Sequence, residues 1–322
     1  MLAVTCVSQS ATDPLSGLEV GDRPDPQAPE GWTTVRLRAA ALNHHDVWSL
    51  RGVGLPADRL PMVLGCDGAG VDAEGDEVLV HAVVASPGWA GDETLDPRRS
   101  LLSEVHDGTL AEVVVVPRHN VVPKPAGLSW EHAACLPTAW LTAYRMLFSN
   151  AGVQPGATVL VQGAAGGVAT ALVQLGTAAG IRMWVTSRDA AKGEQAVALG
   201  ADRAFESGAR LPERVDAVME TVGAATWSHS VNSLRPGGTV VISGATSGDA
   251  PAKAELTKIF FKQLRVVGST MGTRDELARL ARFVVDAGIE PQVDSVRPLA
   301  DARAGFERMV AGEVSGKVVF TL

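Results

Sequence analysis

The feature that most constrains this chain is a glycine-rich turn set between an apolar run and a run of small helix-compatible residues. Thr158-Val-Leu-Val-Gln leads into Gly163-Ala-Ala-Gly166-Gly167-Val-Ala169, and small and apolar residues continue to Gly180. A strand that ends at Gly163 can turn tightly and start a helix whose first backbone N–H groups have no partner within the helix. Such a start is a seat for a phosphate, and glycines let the phosphate come close because no Cβ stands in the way. The spacing is G-x-x-G-G-x-A rather than G-x-G-x-x-G, and a turn of this kind also serves simply to pack a helix on a sheet. Its surroundings decide between the two.

From about residue 123 those surroundings follow one rhythm. Strand patterns at 158–162, 182–186, 215–219, 239–243 and 265–268 alternate with helical stretches near 167–179, 189–199, 224–234 and 253–262. Trp130 to Asn150 reads as a leading helix, with Ser129 as its N-cap. This predicts an α/β fold, a Rossmann-type doubly wound parallel sheet over 123–272 with the glycine turn after its first strand. Residues 1–122 alternate short apolar runs with Gly, Pro and Asp, as in Thr33-Thr-Val-Arg-Leu-Arg-Ala. They predict an irregular, mostly antiparallel β domain, with Ser86 to Asp107 as a surface excursion. An amphipathic helix over Thr273 to Ala287, an extended piece at Pro291 to Val296, a helix near 300–311 and a last strand at Lys317 are expected to rejoin that domain as 273–322.

Composition removes several function classes. With 46% hydrophobic and 20% charged residues among 322, the chain can bury sizeable cores. A formal net charge of −8 and no Lys/Arg cluster argue against a nucleic-acid surface. The three cysteines (Cys6, Cys66, Cys135) form no C-x-x-C pair, which suits a reducing cytoplasm. Met1 to Cys6 has no basic segment before its apolar run, and no apolar run is long enough to span a membrane. A cytoplasmic protein acting on a small molecule, with no nucleic-acid or membrane partner, is expected.

The second strand refines the nucleotide reading. An Asp or Glu about twenty residues beyond the glycines would hold a ribose 2′-hydroxyl. Here the strand ends in Ser187-Arg188, and Asp189 falls where the next helix starts. A hydroxyl, a guanidinium and Lys192 one turn on suit a 2′-phosphate, so NADP(H) is expected over NAD. The alternative is that Arg188 and Lys192 are ordinary solvated charges. Glu220-Thr221-Val-Gly223 and Ser243-Gly244-Ala245 follow later strands on the ligand side of such a sheet.

Taken together, these residues resemble the medium-chain dehydrogenase/reductase superfamily, in its quinone oxidoreductase-like, zinc-independent branch. The resemblance rests on Ala40-Ala-Leu-Asn43-His-His-Asp46 with Arg51-Gly52, then Pro61 to Gly70, Gly108-Thr-Leu-Ala-Glu112, Leu136-Pro-Thr138 to Tyr144, the glycine turn, Leu199 to Asp202, and Gly316-Lys317-Val-Val. It implies that the β domain is GroES-like and catalytic, and that the protein is a homodimer. It also implies a cofactor set of Gly163, Ala165, Gly166, Gly167, Val168, Ser187, Arg188, Lys192, Thr221, Gly223, Gly244, Ala245, Ser269 and Lys317. Asn43 and Thr138 would flank the nicotinamide, and His44 or His45 would supply a proton; Asp46 either joins that chemistry or caps its helix. Zinc-dependent relatives carry a Cys where this chain has Asn43 and His-Glu where it has Cys66-Asp67. Gly88 to Ser103, in the place of their structural zinc lobe, contains no cysteine. No metal is therefore expected, since a catalytic zinc needs about three protein ligands.

The expected chemistry follows. A nicotinamide delivers hydride itself, and a quinone or α,β-unsaturated carbonyl accepts it without a Lewis acid, whereas a simple ketone needs one or a placed proton donor. The leading expectation is an NADPH-dependent reductase of a small apolar carbonyl or quinone. The alternatives are an alcohol/ketone dehydrogenase with an atypical zinc site and a low-turnover NADPH-binding sensor.

Overall fold

The structure, a computed structural model, describes residues 1–322. The chain packs as two compact units, Met1–Leu141 with Met271–Leu322, and Thr142–Thr270.

The Thr142–Thr270 unit is built on six parallel strands in the order Arg203–Glu206, Arg182–Ser187, Thr158–Gln162, Val215–Glu220, Leu234–Ile242, Arg265–Gly268. The chain runs outward from Thr158–Gln162 to one edge and then returns to its other side. The order therefore reverses at the carboxyl end of Thr158–Gln162, where the glycine turn sits. Val159, Leu160 and Val161 are fully buried, as expected of a parallel strand covered on both faces. The helix Gly167–Ala178 buries Leu172, Val173 and Leu175, and Gly176 lets it approach Met183: a Cβ there would stand 2.3 Å from the Met183 sulfur. The sequence rhythm shows five of the six strands. It misses Arg203–Glu206, a short edge strand that is mostly exposed and so has no apolar signature.

The predicted leading helix is not one regular helix. Ser129 caps it by accepting from the His132 N–H (3.2 Å), but π-helical turns cover Leu136–Trp140 and Arg145–Ala151. Pro137, which lacks an N–H, lies in the first of them. Residues 123–141 also pack with the first unit, because the helix Trp130–Ala134 lies on the strands Trp32–Ala41 and Asp67–Asp72. The boundary falls at 141–142, not at 122–123, and the second falls at 270–271, not at 272–273.

The first unit is organised on a largely antiparallel sheet in the order Val121–Pro123, Glu77–Val80, Asp67–Asp72, Trp32–Ala41, Lys317–Thr321, Val293–Pro298, with Val113–Pro117 also on Trp32–Ala41. The carboxyl-terminal strands are thus part of this sheet, and Phe306 and Phe320 sit in its core with Leu42 and Leu50. The helix Arg274–Asp286 starts on a reciprocal cap: Thr273 Oγ1 accepts from the Glu276 N–H, and the Glu276 carboxylate from the Thr273 N–H. The stretch 86–107 is not merely a surface excursion. Asp96, fully buried, accepts from the Ser86 and Arg98 N–H groups, and Leu102 and Ser103 are buried beyond it. No helix is long and apolar enough to cross a membrane.

Candidate functional site

In the first unit, three polar side chains from distant parts of the chain meet in the interior. Asn43 precedes the helix His44–Leu50, Asp67 opens a strand, and Lys317 opens the last strand. The Lys317 ammonium donates to Leu42 O (2.8 Å), Asn43 Oδ1 (2.6 Å) and Asp67 Oδ2 (2.7 Å). Asn43 Nδ2 donates to the same Asp67 oxygen at 2.8 Å. This fixes the amide: its oxygen faces the ammonium and its nitrogen the carboxylate. Asp46, fully buried, accepts from the Asn43 N–H (2.8 Å) and the Gly65 N–H (3.0 Å), so it fastens the helix start to the loop before Asp67. Asp46 is a capping residue here. Lys317, expected at the cofactor, instead spends all three donors inside this cluster, and only 2% of it is exposed. It orients Asn43 and Asp67.

The two adjacent histidines differ. His45 Nε2 pairs with Glu104 Oε1 (2.9 Å), and its Nδ1 lies 3.5 Å from Cys66 Sγ. Burial alone would depress the His45 pKa, but Cys66, Glu104 and Asp46 together hold it well above the usual histidine value. Burial pushes the Cys66 thiol up. Gly54, with φ +85°, leaves room for the pair, since a Cβ there would stand 2.7 Å from Glu104 Oε1. His44 is exposed and makes no hydrogen bond; desolvation and the positive charges of Lys317 and Arg51 hold its pKa below the ordinary value. Thr138 sits in the first π-helical turn with a buried hydroxyl that has no partner.

These donors do not fit a tetrahedral zinc centre. Asp67 is held by an ammonium, Cys66 is bonded to Leu102 O and faces a histidine of raised pKa, and no group of three His, Cys, Asp or Glu side chains could hold an ion.

In the second unit, the turn fits a pyrophosphate. Gly163 has φ +95°, Gly166 precedes the helix without a side-chain cap, and a Cβ at either would meet nothing within 4 Å. Thr170 is the first residue of that helix whose N–H reaches a carbonyl behind it, Gly166 O at 2.9 Å. The N–H groups of Gly167 and Val168, on half-buried residues, therefore have no partner within the helix. Asp189 caps the next helix through the Ala191 N–H (2.9 Å), and Ser187 Oγ bonds Asp189 O (2.7 Å). Arg188 is exposed without a partner, and Lys192 is half-buried on the helix that follows. Gly223 and Gly244 have a local reason to be glycine: a Cβ at Gly223 would stand 2.5 Å from Gly248 O, and one at Gly244 3.0 Å from Thr221 O. They bring the loop after Glu220 against the loop that carries Ala245. Ser269 Oγ is buried and unbonded.

Residues 167–286 match the family described as zinc-binding dehydrogenase, and residues 29–126 match the alcohol dehydrogenase GroES-like domain. The fold superposes on a solved NAD-dependent alcohol dehydrogenase with a TM-score of 0.91 at 36% identity, covering 100% of both chains. The chain belongs to the medium-chain dehydrogenase/reductase superfamily. Within this oxidoreductase superfamily it is quinone oxidoreductase-like, with a GroES-like unit and a Rossmann unit. It is also similar to an acryloyl-coenzyme A reductase from Metallosphaera sedula, 29% identical over 95% of this chain and 96% of that one. A 2-octenoyl-CoA carboxylase reductase, CinF, solved with NADP and 2-octenoyl-CoA, superposes with a TM-score of 0.88 at 27% identity over 99% of this chain and 87% of that one.

Sequence reasoning gives no role to Glu104, which pairs with His45, or to Gln162, which bonds Thr186 and Ser230, and it names Glu220 only at the head of a ligand-side loop. Glu104 lies in a stretch without periodicity. Gln162 did carry a signal, a polar residue ending an otherwise apolar strand.

Proposed function

We propose that the protein is a cytoplasmic NADPH-dependent reductase that passes hydride to a quinone or an α,β-unsaturated carbonyl without a catalytic metal. The observation that carries this is the Lys317–Asp67–Asn43 cluster: an ammonium holds the carboxylate that a metal would otherwise need, in a chain that keeps an open nucleotide cradle. The bound nicotinamide supplies the hydride. Gly163, Ala165, Gly166, Gly167 and Val168 would hold the pyrophosphate; Arg188 with Lys192 would hold the 2′-phosphate, while Ser187, its hydroxyl donated to Asp189 O, shapes that strand tip; Thr221, Gly223, Gly244, Ala245 and Ser269 would line the remainder. Asn43 presents an amide of fixed orientation, and Thr138 an unspent hydroxyl. Hydride addition to a conjugated carbon leaves an enolate or phenolate, which needs only a proton, from water or from His45, the histidine whose surroundings favour its protonated form. The acyl-CoA relatives support the conjugated class, since an enoyl thioester is itself an α,β-unsaturated carbonyl.

The test is NADPH loss against quinones, enones, enoyl thioesters and aldehydes. Turnover confined to the conjugated acceptors is expected. Turnover of aldehydes with near-stoichiometric zinc would favour an alcohol dehydrogenase with an atypical site, the reading that the NAD-dependent alcohol dehydrogenase neighbour supports. Tight NADPH binding without turnover of any acceptor would leave the sensor reading. For cofactor choice, Arg188→Ala is expected to weaken NADPH about ten- to hundredfold and NADH little, because a charged hydrogen bond is lost only with the 2′-phosphate. Equal losses would overturn the assignment.

We also assign a second copy of the chain to the exposed edge of the parallel sheet. Arg265–Gly268 has a free edge, and Leu256, Phe260, Phe261 and Val266 beside it are exposed. Light scattering is expected to give a dimer, and Phe260→Ser with Phe261→Ser a monomer; a monomeric parent protein would remove the assignment.

A further inference from the structure

A single directional chain of hydrogen bonds crosses the interior of the Thr142–Thr270 unit. It begins at the glycine turn. The Gly163 N–H donates to Thr186 Oγ1 (3.3 Å), and the Thr186 hydroxyl donates in turn to Gln162 Oε1 (2.7 Å). Gln162 Nε2 then donates to Ser230 Oγ and to His229 Nδ1, both at 2.9 Å. The Ser230 hydroxyl donates to Glu220 Oε2 at 2.6 Å. The other Glu220 oxygen accepts from the Val222 N–H (2.8 Å) and the Gly223 N–H (3.0 Å), and Thr226 Oγ1 reaches both oxygens. The Thr186 and Ser230 hydroxyls each accept on one side and donate on the other, so the run from Gly163 to Glu220 has one sense, and the Val222 and Gly223 N–H groups close on Glu220 from its far side. His229 Nε2 faces Ala209 O at 2.9 Å, which makes Nε2 the protonated nitrogen and leaves Nδ1 to accept from Gln162.

Two properties set this chain apart from ordinary core polarity. Gln162, Thr186, Glu220 and Ser230 are each at most 1% exposed. Glu220 is a buried carboxylate with no Lys or Arg beside it, held by hydroxyls and backbone N–H groups alone. Such a group is costly to bury unless its partners stay in place, so its partners are locked with it. The chain's two ends are loops: the Gly163 turn after one strand and the Val222–Gly223 loop after its parallel neighbour.

We propose that Gln162 and Glu220 are positioning residues for the dinucleotide. They fix the Gly163 turn and the Val222–Gly223 loop in one mutual register, so a nucleotide that meets one loop finds the other already set. Neither side chain touches the nucleotide in this account, because their polar atoms are spent within the chain. The inference rests on the nucleotide-binding reading given above and assigns to it residues that the turn itself does not include.

The test is a double-mutant cycle on NADPH affinity, read from the fluorescence of the bound dinucleotide. Thr186→Val and Ser230→Ala break the chain on either side of Gln162 without adding bulk. Each is expected to raise the NADPH Kd about tenfold, and the double variant little more than either alone, because one break already frees the two loops from each other. Thr186→Ser, which keeps the hydroxyl, is expected to stay within about twofold of the parent; this rescue keeps the proposal testable if the Val variant folds poorly. A Kd for the double variant equal to the product of the single effects, or Kd values unchanged in folded single variants, would overturn the positioning role while leaving nucleotide binding intact. A parent protein that binds no NADPH would instead remove the nucleotide reading, and this proposal with it.

Discussion

Replacing Lys317 with Met is expected to cost about 3–5 kcal/mol of folding free energy, the range found when one partner of a buried ion pair is removed. The side chains are of similar length, so the change removes the charge and its three donors and leaves little cavity. What remains is the Asp67 carboxylate, fully buried, with one oxygen already lacking any partner and the other held by Asn43 alone. The Leu42 carbonyl and the Asn43 amide oxygen lose their donor as well. Denaturant unfolding should register the loss. A second change, Asp67→Asn, should recover much of it, because the uncompensated charge goes with it. A Lys317→Met protein as stable as its parent would show that the ammonium is not the partner that makes Asp67 tolerable. The same cluster orients Asn43, so the variant should also lose turnover beyond what its stability explains.

That Lys317 was expected at the cofactor, and lies instead on Asp67, marks how far the sequence can be read. Strands such as Thr158–Gln162 and Val215–Glu220 are legible because burial on both faces demands unbroken apolar runs, and the intervening glycine turn has a local stereochemical reason. The order of elements, the NADP-compatible strand tip and the departure from the zinc-dependent pattern at 43 and 66–67 are local too. The Lys317–Asp67 pair joins residues 250 positions apart, and no periodicity announces such a pairing. Glu104 is hidden for a related reason. It meets His45 across 59 residues from a segment whose Gly, Pro and Asp content suggests a loop at the surface. The broken helix around Thr138 is different again, because the apolar spacing there suits a regular helix and only Pro137 hints at a wider turn. Local chemistry was therefore readable, and the contacts that orient it were set by the closing of the sheet.

Gly108→Ala is expected to be nearly as damaging, for a reason that involves no charge at all. A Cβ at Gly108 would stand 2.3 Å from Gly65 O and 2.5 Å from the Leu64 carbonyl carbon, backbone atoms that cannot swing aside. The neighbourhood cannot give either, since Gly108 N donates to Val63 O (2.8 Å), Thr109 N to Gly65 O (3.0 Å) and Leu110 N to Leu64 O (2.8 Å). One methyl group would force these two segments apart. Overpacking of this kind costs about 1–3 kcal/mol where side chains can yield, and the upper end or more is expected against backbone. The displacement should also reach the site. Gly65 N is bonded to Asp46, Cys66 and Asp67 follow Gly65 directly, and Thr109 Oγ1 donates to Asp67 O at 2.7 Å. Gly108→Ala should therefore lower both the melting temperature and turnover, while NADPH binding, carried by a turn in the other unit, survives wherever the protein remains folded. An alanine variant with the parent's melting temperature and turnover would mean that the two segments can separate freely, and that the glycine is not what lets them meet.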